Sequence, residues 1–151
     1  MVRRRRLPPP ASANVYELTE WGAELEPILL GLQRWGAASP SYPHDLPVGC
    51  DAAMLALKNS FDPHAEPDLS VTVKVRFATD RFRLFVDHGS LDIARGSAPR
   101  PDVVIETDPG TLEALAFAGL PLGDAEQAGS LSIDGDRAHL ERLLECFSAP
   151  V

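Results

Sequence analysis

The sequence predicts a mixed α+β protein: a five-stranded, mainly antiparallel sheet covered by helices, preceded by a β-hairpin and one helix. Three observations predict it. Leu69, Val71, Val73, Val75 and Phe77 alternate with Ser70, Thr72, Lys74 and Arg76, the period of a strand with one dry and one wet face. Shorter alternations recur before and after two apolar stretches of helical spacing. The resulting order is helix, three strands in a meander, a fourth strand, two helices, a strand and a helix, which lays helices over one face of a sheet.

The elements follow in chain order. Residues 2–7 form an edge strand, the prolines and polar residues of 8–14 a turn, and 15–18 a strand that pairs back. Thr19 is placed to cap a helix, with Glu20 in its first turn. Trp21, Leu25, Ile28, Leu29, Leu32 and Trp35 recur at three- and four-residue steps and make one apolar stripe. Pro27 bends this helix or marks its effective start. Gly36 stops it. Residues 37–48, with Pro40, Pro43 and Pro47, read as a linker or surface loop.

Asp51 is placed to cap a helix with Ala53, Met54, Leu57 and Phe61 on its apolar face, ended by Asp62-Pro63. After the strand at 69–77, Thr79-Asp80 turns into a second strand. Its Phe82, Leu84 and Val86 face one side and its Arg81, Arg83 and Phe85 the other. His88-Gly89 turns into a third strand holding Leu91 and Ile93, and residues 102–106 form the fourth. Asp108-Pro109 opens a helix with Leu112, Leu115, Ala116 and Phe117 as its apolar residues. A short helix at 122–128 and a fifth strand with Leu131 and Ile133 follow. Asp136 caps the last helix, where Leu140, Leu143, Leu144 and Phe147 make a strongly amphipathic face.

Charge is unevenly placed. The 151 residues carry a formal net charge of −8. Residues 1–35 sum to +1 and the remainder to −9, so the body repels DNA and anionic membranes at long range. Cys50 and Cys146 form no CxxC pair, and no apolar run reaches the length of a membrane span. These features point to a cytoplasmic protein without a membrane partner.

Two resemblances add to this reading. Arg3, Arg4, Arg5 and Arg6 lead into Leu7-Pro8-Pro9-Pro10, then Val15-Tyr16-Glu17-Leu18-Thr19-Glu20-Trp21-Gly22 and a helix ending in Arg34-Trp35-Gly36. This resembles the wing and C-terminal helix of HxlR-type winged helix-turn-helix regulators, with the helix-turn-helix itself lying before Met1 and missing. Downstream, Asp80-Arg81-Phe82-Arg83, Asp87-His88-Gly89-Ser90-Leu91, residues 101–108 and residues 129–136 resemble the sterol carrier protein type 2 fold, in the divergent copy attached to such regulators.

The resemblances imply three segments: residues 1–36 as a truncated winged-helix remnant with a wing and a dimerisation helix, 37–48 as a linker, and 49–151 as a sterol carrier protein-like domain. They imply a transcriptional regulator truncated at its DNA-binding domain, whose C-terminal domain binds a lipid-like or other small apolar effector. The alternatives are a ligand-free structural or dimerisation domain, and a freestanding lipid carrier.

The candidate ligand-binding residues are Phe82, Leu84, Leu112, Leu115, Phe117, Leu131, Leu143 and Phe147, where apolar positions of sheet and helices converge. The candidate homodimer interface is the stripe of Trp21, Leu25, Ile28, Leu29, Leu32 and Trp35, which must be covered by a second subunit, by the acidic body, or by both. Arg3, Arg4, Arg5 and Arg6 are candidate contacts to the DNA backbone. They are weak ones, since phosphate contacts carry no base reading and DNA is a partner only if a helix-turn-helix is present.

The residues give no sign of catalysis. His44, His64, His88 and His139 have no metal-binding spacing, and there is no phosphate loop or nucleophile elbow. Asp134-Gly135-Asp136 lacks the further oxygens of a calcium loop and reads as a turn and a cap. No catalytic residue, metal or cofactor is expected, and the sequence reads as that of a non-enzyme.

Overall fold

The computed structural model describes residues 1–6, 13–37, 39 and 47–148. Most of the turn expected at 8–14 and of the linker expected at 37–48 lies outside the described residues. The chain divides into two compact units, Met1–Ser39 and Pro40–Val151.

In the first unit, β1 (Val2–Arg6) and β2 (Asn14–Leu18) pair antiparallel from Val2↔Leu18 to Arg6↔Asn14. Thr19 caps α1 (Glu20–Ala23), its hydroxyl accepting from Gly22 N–H at 3.1 Å. The chain turns at Glu24 and Leu25 and enters α2 (Glu26–Ala37) with Pro27 in its first turn, where a missing N–H costs nothing. The single helix expected here is thus two, with the proline near the start of the second. Gly22 is fixed by close approach: a Cβ there would lie 2.1 Å from Met1 O. Thr19 N–H also donates to that carbonyl.

The second unit begins with α3 (Cys50–Asn59) and continues through β3 (Ser70–Arg76), β4 (Arg81–Asp87), β5 (Ser90–Arg95) and β6 (Val103–Thr107). It closes with α4 (Pro109–Phe117), α5 (Leu122–Gln127), β7 (Leu131–Gly135) and α6 (Arg137–Glu145). The strand order is β5-β4-β3-β6-β7. Every pairing is antiparallel except β3 with β6, in register Val73↔Val103 through Arg76↔Glu106. The unit is therefore an α+β fold whose mixed sheet is covered by helices.

The alternation read from the sequence sets the two faces. Val71, Val73 and Val75 on β3, Phe82, Leu84 and Val86 on β4, and Val103 and Ile105 on β6 are all buried on one face. The caps hold the helices to this face. Asp108 accepts from Thr111 N–H at 2.9 Å ahead of Pro109, and Asp136 accepts from Ala138 N–H at 2.9 Å. The cap expected at Asp51 is not made: Gly49 precedes the helix, and the Asp51 carboxylate accepts from Arg95 Nη2 at 2.5 Å. Arg95 also pairs with Asp80 and lies 4.9 Å over the Phe82 ring, so one guanidinium ties α3, the β3–β4 turn and the edge strand β5 together.

A bridge between Phe61 and Phe147 closes the unit. Asp62 N–H donates to Cys146 O at 2.7 Å, and the two rings stand 6.0 Å apart. Among the described residues no helix is long and apolar enough to cross a membrane.

Candidate ligand-binding site

The eight residues singled out as ligand contacts come together. Phe82, Leu84, Leu112, Leu115, Leu131, Leu143 and Phe147 belong to one continuous apolar cluster between the inner sheet face and the helices, each 2–7% exposed. Phe117 is half-buried at its margin, as are Leu91 and Ile93 on β5, Phe61, Leu120 and Leu144. Among the described residues no polar or charged residue is buried. The cluster can offer dispersion and water exclusion to a ligand, but no directional contact of its own.

Three titratable groups lie in the cluster or beside it. Burial pushes the Cys146 thiol up to about 11, and its Sγ lies 3.5 Å from Arg142 O. Cys50 is also raised, by burial and then by Asp80 beside it. Burial alone raises Glu113 on α4. Both cysteines are free, and no group of three or more His, Cys, Asp or Glu able to hold a metal occurs among the described residues.

The opposite face of the sheet holds a concavity that the sequence reading did not single out. Thr72, Arg83, Phe85, Pro99 and Arg100 line a groove of about 370 Å³. The signal was available: Phe85 is the aromatic residue placed among the polar positions of β4, and it stays 39% exposed.

The N-terminal expectations are placed differently. Trp21, Ile28, Leu29, Leu32 and Trp35 are 55–78% exposed, and Leu25 is half-buried. Arg3, Arg4, Arg5 and Arg6 are exposed along β1. Arg3 and Arg5 both bond the Glu17 carboxylate, at 2.6 and 3.2 Å, and hold its pKa below the usual carboxylate value. Two of the four arginines are thus engaged within the hairpin, where they share the single negative charge of Glu17.

The model of the alkyl sulfatase C-terminal family matches residues 56–151, the greater part of the chain. The chain belongs to this family. The sec-alkylsulfatase Pisa1 from Pseudomonas sp. superposes on 68% of this chain and 17% of its own, with a TM-score of 0.62 and 24% identity. A double mutant of the same enzyme gives 0.59 over the same shares and at the same identity. This chain therefore spans 17% of the length of those relatives, and at that identity the likeness establishes the fold. Sterol carrier protein-2 like-3 from Aedes aegypti covers 63% of this chain and 92% of its own, at 16% identity and a TM-score of 0.46. No curated protein matches the chain in sequence.

These findings correct four expectations. The family is that of an alkyl sulfatase domain and not of an HxlR-type regulator, so the N-terminal hairpin and helices are no evidence of a winged helix-turn-helix. The transcription-regulator reading falls with it, as does the DNA-binding role given to Arg3, Arg4, Arg5 and Arg6. The flat reading as a non-enzyme also fails, because the chain shares its family and fold with a region of a sulfatase.

Proposed function

We propose that the second unit binds amphiphiles through their alkyl chains, serving as a lipid carrier or as the part of an alkyl sulfatase that handles the substrate's chain. One observation carries the reading. The sheet and helices enclose a cluster without a buried polar residue among those described, in a family named for enzymes of alkyl sulfates. Phe82, Leu84, Leu112, Leu115, Phe117, Leu131, Leu143 and Phe147 supply its contact surface. The half-buried apolar side chains at its margin, Leu91, Ile93 and Phe117 among them, are where a chain enters without crossing polar groups.

Burying one methylene contributes about 0.8 kcal/mol. Lengthening an alkyl sulfate by two carbons should therefore tighten binding roughly fifteenfold. Displacement of a fluorescent fatty acid by octyl, decyl and dodecyl sulfate, each below its micelle concentration, measures this. A series with no dependence on chain length, or no displacement at near-millimolar ligand, would leave the unit as a solid structural domain and sink the proposal.

The first unit has its own part in this reading. Its exposed stripe of Trp21, Ile28, Leu29, Leu32 and Trp35 supports a homodimer, since helix–helix burial is the common way to cover such a face.

A further inference from the structure

The groove on the open face of the sheet is distinct from the apolar cluster and does not depend on the reading given to it. Thr72, Lys74 and Arg76 on β3 share that face with Arg81, Arg83 and Phe85 on β4, as the register Thr72↔Phe85, Lys74↔Arg83 and Arg76↔Arg81 requires. A chain with a net charge of −8 thus gathers four cations on the outer face of β3 and β4, and Arg100 adds a fifth at the groove.

The neighbouring carboxylates neutralise only part of this charge. Asp92 accepts from Arg83 Nη2 at 2.5 Å, and Glu106 accepts from Arg76 Nη1 at 2.6 Å. Asp102 is engaged by Thr72 N–H at 2.7 Å, and Asp134 stands across β6 from the groove, opposite Val104. Among the described residues Lys74 and Arg100 have no carboxylate partner. Arg83 Nε–H is buried and has no acceptor there either. Beside these donors lie the exposed ring of Phe85 and the Pro99 ring.

A guanidinium without a partner, a second whose buried Nε–H lacks an acceptor, and an apolar shelf within one concavity match one ligand chemistry. We propose that the groove binds a small organic oxyanion with a short apolar body, its head on Arg83, Arg100 and Lys74 and its body over Phe85 and Pro99. Charge-assisted bonds to guanidinium fix the head, and contact with an aromatic face covers the body.

The test is an amide-resolved NMR titration of the full chain with octyl sulfate, octanoate, octyl glucoside and inorganic sulfate. Octyl sulfate and octanoate should shift resonances of Thr72, Arg83, Phe85 and Arg100, the two heads distinguishing a sulfate ester from a carboxylate source. R100A should weaken octyl sulfate at these resonances about tenfold, equivalent to about 1.4 kcal/mol. F85A should weaken octyl sulfate but leave inorganic sulfate unchanged. Both side chains are exposed enough for the variants to fold, which the unshifted resonances of the inner face will report. Equal binding of octyl glucoside, equal affinity of R100A, or shifts confined to the inner cluster would overturn the proposal. So would self-association abolished by R100A without any response to octyl sulfate, which would mark the face as a protein interface. Loss of the chain-length effect at the inner cluster would leave this site untouched.

Discussion

Leu143→Ala asks whether the inner cluster is packed or already open to a ligand. Leu143 is 2% exposed on α6 and belongs to the continuous cluster. The change removes three carbon centres, about 2.4 kcal/mol of transfer free energy at roughly 0.8 kcal/mol each. The space left cannot close easily, because α6 packs on β3 and β6, the rigid centre of the sheet. A residual cavity raises the cost to about 3–4 kcal/mol, within the range known for buried leucines. With a urea dependence of about 2 kcal/mol per molar, the unfolding midpoint should fall by about 1.5–2 M. Equilibrium urea unfolding followed by circular dichroism measures it. A loss below about 1 kcal/mol would refute the reasoning. It would mean that the space around Leu143 already stands open before any alkyl chain enters, instead of being closed by packed neighbours in the ligand-free chain.

Three further outcomes are expected. Gly135→Ala should cost more than 2 kcal/mol, on the order of the strain of a glycine-only backbone plus a clash, because φ is +115° and a Cβ would stand 2.2 Å from Asp102 O; urea unfolding that matches the parent protein would contradict the close approach of β7 to the start of β6. Cys146 is raised to about 11 by burial, so it contributes stability below about pH 9 that is lost as pH rises through 11. C146A should flatten this alkaline loss in thermal melts, and rapid alkylation of Cys146 in the native protein at pH 8 would contradict its burial. Leu29→Lys with Leu32→Lys should turn a dimer into a monomer by light scattering, while a monomeric parent protein at tens of micromolar would remove the stripe from any self-contact.

The faces of the sheet were legible because period-two alternation is imposed by geometry: Val71, Val73 and Val75 are buried as their spacing requires. The caps at Thr19, Asp108 and Asp136 were legible because a short oxygen-bearing side chain before an apolar helix has one common use. The same logic misplaced Asp51, since Arg95 comes from β5, 44 residues away, and no local pattern announces it. Strand neighbours were illegible for the same reason, as alternation fixes which way side chains point and says nothing of which strand lies alongside. Hence the parallel partnership of β3 and β6 was missed. The N-terminal family reading failed because Tyr16-Glu17-Leu18-Thr19-Glu20-Trp21-Gly22 encodes a strand, a cap and a helix start, a junction many folds need. The inner candidate residues lie together because they were chosen as apolar positions on the inward faces of sheet and helices, and those faces pack on each other. The groove depends on Arg100 reaching a face formed by β3 and β4, a non-local arrangement that composition cannot show.

The pairing of β3 with β6 has a consequence for biosynthesis. β4 follows β3 at once, but Val103 meets Val73 thirty residues later. Closing a loop of that length costs roughly 3 kcal/mol of chain entropy, so the meander of β3, β4 and β5 precedes the rest. At about 5–20 residues per second, β3 leaves the ribosome some 2–6 s before its second neighbour exists. Through that interval the strand destined for the centre of the sheet is an edge, with a ladder of unpaired amides and a row of valines beside it. A chain cut short before β6 never leaves this state. Its insolubility would come from an unfinished sheet with its middle on the outside, even though every helix and turn encoded up to that point had formed correctly.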